Sequence, residues 1–140
     1  MKEIGNLKVL VIDDETYVAN TLVWILEAAG IEATAEHDGP SALKRIESFA
    51  ADVVICDVIM PGMNGVETCE MILEKYPCHI LLWSGQAATN ELVRDAWKRG
   101  LSWEFLAKPI EPEELLTRLA SLGHNGAPEA HEIASRGSSK

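Results

Sequence analysis

Five residues have side chains that could share one piece of chemistry: the acidic pair Asp13-Asp14, the single Asp57, Ser84 and Lys108. Taken one at a time they mean little, because an Asp after a strand is commonly a helix cap and a Ser or Lys in a loop is commonly solvated. As a set they mean more. Three carboxylates brought within about 4 to 6 Å repel by several kcal/mol per pair at an effective dielectric near 20, so such a cluster needs a cation. Oxygen ligands of this kind suit a hard divalent ion, and Mg²⁺ often combines one or two carboxylates with waters and a phosphate. Lys108 adds a fixed positive charge and the Ser84 hydroxyl a donor for a phosphate oxygen, which points to phosphoryl transfer.

The elements needed to bring these residues together can be read from the pattern of apolar residues. Short runs rich in Val, Ile and Leu alternate with longer segments of helical spacing, as in βαβ units with a parallel sheet. Five strands are predicted, at 7–12, 31–36, 52–57, 79–83 and 103–106, the second half-exposed near a sheet edge. Five helices lie between and after them. The first buries Val18, Leu22, Ile25, Leu26 and Ala29, and Gly30 ends it. The second starts near Gly39-Pro40, and the third carries an Asn64/Glu67 capping box and stops at Pro77. The fourth runs from Thr89 to Arg99, and the fifth buries Leu115, Leu119 and Leu122 with Gly123 just past its end. Ligands of an open parallel sheet bind beyond the carboxyl ends of its strands. Asp13-Asp14, Asp57, Ser84 and Lys108-Pro109 all stand at such ends.

Composition narrows the function classes. The chain has 140 residues, 47% of them hydrophobic, which fits one compact domain over residues 1–123 with residues 124–140 as a flexible tail or linker start. A net charge of −10 repels phosphate backbones and anionic lipid, so partners with basic patches are expected, with no direct nucleic-acid or membrane binding. No apolar run approaches a membrane span and MKEIGN lacks a signal-peptide build, so the expected address is cytoplasmic. Cys56, Cys69 and Cys78 lack zinc or redox spacing and read as core or helix residues. His37, His79, His124 and His131 likewise show no metal-ligand spacing.

From Leu7 to Leu122 the chain also resembles bacterial response-regulator receiver domains of the chemotaxis-regulator type. The resemblance rests on Asp13-Asp14, the segment DVIMPGMNG from Asp57 to Gly65, Ser84-Gly85, and EFLAKP from Glu104 to Pro109. It implies a doubly wound α/β fold, flavodoxin-like, with five parallel strands in the order 2-1-3-4-5 and five helices. It further implies a phosphoacceptor Asp57, with Asp14, Asp57 and the Ile59 carbonyl as direct Mg²⁺ ligands (Mn²⁺ an alternative) and Asp13 acting through water. Ser84 and Lys108 would contact the phosphoryl oxygens, Lys108-Pro109 would be cis, and Ser84 and Phe105 would form the switch. The partners it implies are a sensor histidine kinase or phosphotransfer protein and a downstream protein at the face of helix four, strand five and helix five. A phosphorylation-dependent homodimer is a further expectation. Such a domain is a signalling module rather than an enzyme with an outside substrate, although it assists its own phosphorylation and dephosphorylation.

Three features depart from the common pattern. Gly100 lies one residue further from Lys108-Pro109 than expected, so an insertion either displays Trp103 or leaves it covering a core edge. Ile59 and Gln86, two residues after Asp57 and Ser84, border the phosphoryl group in the family and are expected to tune its lifetime. The tail is too short for an output module, so output is expected through docking unless the chain is a fragment of a longer regulator, with Trp97 either on that face or partly buried in packing. Two rivals fit the residues less well: a dehalogenase-type phosphatase needs a second Asp where Ile59 stands, and a flavin carrier needs a Ser/Thr/Gly-rich loop where Asp13-Asp14-Glu15 stands. A constitutive interaction module that keeps the fold without phosphorylation is the remaining alternative.

Overall fold

The computed structural model describes residues 6–85, 89–101 and 103–125, with side chains omitted at 89, 90 and 123–125. Strands and helices alternate along the chain: β1 (Lys8–Ile12), α1 (Thr16–Ala28), β2 (Glu32–Glu36), α2 (Gly39–Phe49), β3 (Val53–Asp57), α3 (Gly65–Lys75), β4 (His79–Ser84), α4 (Thr89–Lys98), β5 (Glu104–Ala107) and α5 (Pro112–Asn125). All four strand pairings are parallel and the order is β2-β1-β3-β4-β5. The predicted fold class, strand number and order are all observed.

Strand periodicity divides the interior into two layers. Val9, Val11, Val53, Ile55, Leu81 and Trp83 point to one face, where Leu22 and Leu26 of α1 and Leu115 and Leu119 of α5 cover them. Leu10, Ile12, Val54, Cys56, Ile80 and Leu82 point to the other, beneath Ile46 of α2, Cys69 and Ile72 of α3, and Val93 and Ala96 of α4. Each Val, Leu or Ile buried in these layers contributes roughly 1.5–3 kcal/mol against solvent exposure, which the polar edge strand β2 cannot supply for itself. That is why β1 and β3 sit at the centre of the sheet and the alternating β2 at its edge.

Local signals set most helix limits. The Asn64 side chain accepts from the Glu67 N–H at 2.9 Å while Glu67 accepts from the Asn64 N–H at 3.0 Å, a reciprocal cap that starts α3 directly after the site loop. Asp38 accepts from Ser41 at 2.7 Å and opens α2, with Pro40 in the first turn. Gly30, at φ +86°, takes the chain out of α1 in a conformation that disfavours side chains.

Several details differ from the sequence expectations. Ala29 lies just past α1 and is exposed, because the inward stripe ends at Leu26. Gly123 lies within α5, which continues to Asn125; the last turn of a helix is where such limits are least determined by sequence. Of the two readings for Trp103, the structure selects the core edge: the ring is buried against the α3 and α4 layer. Trp97 is the opposite case, being 52% exposed on α4. The tail beyond 125, including His131, and Gln86 lie outside the described residues.

Candidate phosphoryl-transfer site

Register brings the acidic residues together. Ile12 at the end of β1 pairs with Cys56, and Asp57 at the end of β3 pairs with Trp83, so Asp13 and Asp57 leave neighbouring strands at one height. Asp13 is fully buried, Asp57 nearly so, and Asp14 is exposed at the mouth. One carboxylate oxygen from each lies within 4.8 Å of the others. An open pocket of about 310 Å³ above them is lined by Asp14, Glu15, Asp57, Ile59, Ser84, Gly85 and Lys108.

Lys108 reaches in from the end of β5. Its ammonium donates to Asp13 Oδ2 at 2.7 Å and lies 3.5 Å from Asp57 Oδ2 and 4.0 Å from Glu15 Oε1. Burial alone would lower the Lys108 pKa, but the hydrogen bond to Asp13 and the charges of Asp57, Asp13 and Glu15 hold it above the ordinary value. Asp57 is raised as well, but here burial acts in the upward direction: burial first, then the charge of Asp13, raise its pKa to about 7, against the opposing pull of Lys108 and the Ile59 N–H. One lysine therefore does not balance the cluster. Buried carboxylate oxygens in excess of the nearby cations are the donor set that a hard divalent ion fits.

Backbone contacts fix the floor. The Glu15 N–H donates to Asp13 Oδ1 at 2.9 Å, and the Ile59 N–H reaches Asp57 Oδ1 at 3.4 Å. The Lys108–Pro109 peptide is cis, and the Lys108 N–H donates to the Ser84 carbonyl at 3.2 Å, joining β5 to β4 at the rim. A Cβ at Gly65 would overlap the Asp57 carbonyl, so α3 starts as close to the site strand as its backbone permits.

Of the residues singled out in the sequence, Asp13, Asp14, Asp57, Ile59, Ser84 and Lys108 gather around this pocket. Phe105 does not; it is half-buried on β5 beside Val93, Arg94 and Trp97 of α4. Pro109 lies on the far side of Lys108, in an apolar groove against α1. Sequence reasoning missed three participants. Glu15 brings a further carboxylate toward Lys108, His37 Nδ1 lies 3.0 Å from the Asp13 carbonyl, and the Lys108 ammonium lies 4.6 Å from the centre of the Trp83 ring. Only Trp83 carried a usable signal, its place directly before Ser84 with strand parity matching Asp57.

Residues 9–120 match the sequence family described as response regulator receiver domain. The chain is 30% identical over 119 residues to the sensory transduction protein RegX3 of Mycolicibacterium smegmatis, covering 85% of this chain and 51% of that protein. It is 27% identical over 130 residues to the DNA-binding response regulator MtrA of the same organism, covering 93% and 56%. The chain thus spans about half the length of the curated relatives it matches. Among solved structures, the receiver domain of the Francisella response regulator 1452 has a TM-score of 0.72 at 30% identity, covering 86% of this chain and 98% of that one. The Vibrio cholerae chemotaxis protein CheY4 has a TM-score of 0.67 at 29% identity, covering 81% and 96%. With the strand order, the acidic strand ends and a match across most of its length in agreement, the chain belongs to the response regulator receiver domain family.

Proposed function

We propose that this domain is a phosphorylation switch in which Asp57 accepts a phosphoryl group from the phosphohistidine of a histidine kinase or phosphotransfer protein, with Mg²⁺ as cofactor. The observation that carries the reading is the clustering of Asp13, Asp14 and Asp57 oxygens within 4.8 Å, with the Lys108 ammonium 3.5 Å from Asp57. Asp14, Asp57 and the Ile59 carbonyl would hold the ion directly, and Asp13 through water. When bound, the ion neutralises carboxylate charge and offsets that of the incoming phosphoryl oxygens.

An Asp57 carboxylate oxygen attacks phosphorus in line as the phosphorus–nitrogen bond to the donor imidazole breaks. The imidazole nitrogen leaves with the bonding pair, to be protonated later by solvent. Lys108 faces the charge on the transferred group and the Ser84 hydroxyl donates to one of its oxygens. The resulting acyl phosphate returns to carboxylate when water attacks phosphorus and inorganic phosphate departs. Ile59, at the rim of the pocket, would set its rate together with Gln86, whose position borders the phosphoryl group in the family.

The added charge, about −1.5 to −2, draws Ser84 toward it and changes the face of α4, β5 and α5, with Phe105 as the moving aromatic. That face already carries the exposed Trp97 and a shallow pocket between Trp97, Arg94, Val93 and Phe105, suited to a protein partner or a second phosphorylated copy. The net charge of −10 favours docking to basic protein surfaces over direct nucleic-acid contact by this domain. We place it in the cytoplasm; among the described residues no helix is long and apolar enough to cross a membrane. On this reading residues 1–123 are the functional domain and residues 124–140 a tail or the start of a linker.

Acetyl phosphate with Mg²⁺, read by intact mass, tests the reading. One phosphoryl group is expected on the wild type and none on Asp57→Asn. No uptake by the wild type would leave a constitutive interaction module as the better account.

A further inference from the structure

Trp83 is the register partner of Asp57 across β3 and β4, and its side chain belongs to the layer that also holds Val53 and Ile55, the residues of like parity to Asp57. Only 4% of it is exposed, and it shares the walls of an apolar groove with Pro109, Ile110 and residues of α1. The Lys108 ammonium lies 4.6 Å from the ring centre. Lys108 thus has three carboxylates on its polar side, Asp13, Asp57 and the exposed Glu15, and an indole on its apolar side.

We infer that Trp83 is a positioning residue for phosphoryl transfer: its indole carries the Lys108 ammonium and keeps it over the gap between Asp13 and Asp57. A lysine reaches its target through four freely rotating bonds and loses that freedom when it is held in one place. Its charge here is offered to Glu15, at the solvent edge, as well as to the buried pair. A ring face attracts an ammonium most strongly where water is scarce, and this ring is anchored by the core around it and by the strand that also carries Ser84. The ammonium held 4.6 Å from the ring centre is at the same time within reach of Asp57, at 3.5 Å, and of Asp13, at 2.7 Å. An aliphatic residue at position 83 fills the layer but gives the ammonium no such preference.

The inference rests on the phosphoacceptor reading, and its test separates the two. In the full chain without metal, the Lys108 ε-methylene protons are expected upfield of ordinary lysine positions through the Trp83 ring current, still shifted but less so in Trp83→Phe, and unshifted in Trp83→Leu. With acetyl phosphate and Mg²⁺, Trp83→Leu is expected to slow labelling of Asp57 by about tenfold while the Mg²⁺ Kd changes less than about twofold, and Trp83→Phe to recover most of the rate. Unshifted Lys108 protons in the wild type, or a Trp83→Leu protein labelled at the wild-type rate, would overturn the positioning role. Should Trp83→Leu not fold, Trp83→Met takes its place with the same expected outcomes. Failure of the wild type to be labelled counts against the phosphoacceptor reading, while the proton shifts still decide whether the indole holds the lysine.

Discussion

Lys108 is hydrogen-bonded to Asp13 rather than to Asp57: its ammonium lies 2.7 Å from the first and 3.5 Å from the second. The cation of the site is therefore shared, in the absence of metal, with the carboxylate deepest in the protein. Any divalent ion entering the cluster meets a positive charge already in place, and any phosphoryl group arriving on Asp57 competes with Asp13 for it.

Lys108→Ala is expected to separate these two effects. Removing a charge about one ion diameter from the carboxylates should tighten Mg²⁺ binding by about tenfold, measured by calorimetry. The same change should slow phosphorylation by acetyl phosphate by about a hundredfold, since a charge aimed at the transferring group is lost. Weaker Mg²⁺ binding in the variant would mean that Lys108 organises the metal site instead of competing with it.

The raised pKa of Asp57 has a definite sign for stability. Between about pH 4 and 7 the metal-free folded protein keeps a proton on Asp57 that the unfolded chain, titrating near 3.8, has released. Stability from this group thus falls as pH rises through that window, and the full cost is present above pH 7. Asp57→Asn should stabilise the metal-free protein at pH 8 by on the order of 2 kcal/mol, after allowance for solvent at the open side, and by much less at pH 5. Melting curves in chelator at the two pH values check this; an equal effect at both would contradict it.

Mg²⁺ affinity should follow the same group. Binding requires the carboxylate, so affinity is expected to rise by up to about tenfold per pH unit below 7 and level off above it. At 100 times its dissociation constant the ion should stabilise the wild type by about 2.7 kcal/mol, and Asp57→Asn less at the same concentration. A melting temperature indifferent to metal would remove the basis for a cation site.

Gly65→Ala tests how closely α3 approaches β3, the strand that ends in Asp57. The added Cβ has no room beside the Asp57 carbonyl, so β3 or the start of α3 must move. We expect a loss of about 2 kcal/mol or more in urea unfolding, together with slower phosphorylation because Asp57 itself is displaced. An unchanged midpoint would show that the loop between Asp57 and Gly65 adapts without strain.

Ile59 is 39% exposed at the pocket rim, and its N–H reaches Asp57 Oδ1 at 3.4 Å. On the proposed phosphoacceptor reading, an apolar branched side chain there would hinder the water that attacks the acyl phosphate. Ile59→Asn should shorten the phosphorylated state several-fold, followed by loss of the phosphorylated mass after the donor is removed. An unaltered decay rate would assign the control of lifetime to another residue.

The amino-acid sequence alone determined the alternation of strands and helices, the capping box that starts α3, and the presence of a carboxylate, a hydroxyl or a lysine at each strand end of the site. These follow from local rules: the spacing of apolar residues selects element type, and a parallel sheet crossed by helices puts all its carboxyl ends on one side. Tertiary structure alone decided that Trp103 is buried while Trp97 is exposed, that Lys108 binds Asp13 more closely than Asp57, and that Trp83 lies under the ammonium. Asp13 and Lys108 are 95 residues apart in the chain, and which oxygen the ammonium meets depends on strand register, side-chain reach and the balance of charges around it. Those quantities exist only once the strands have paired, because distance and dielectric, not residue type, set the strength of each contact.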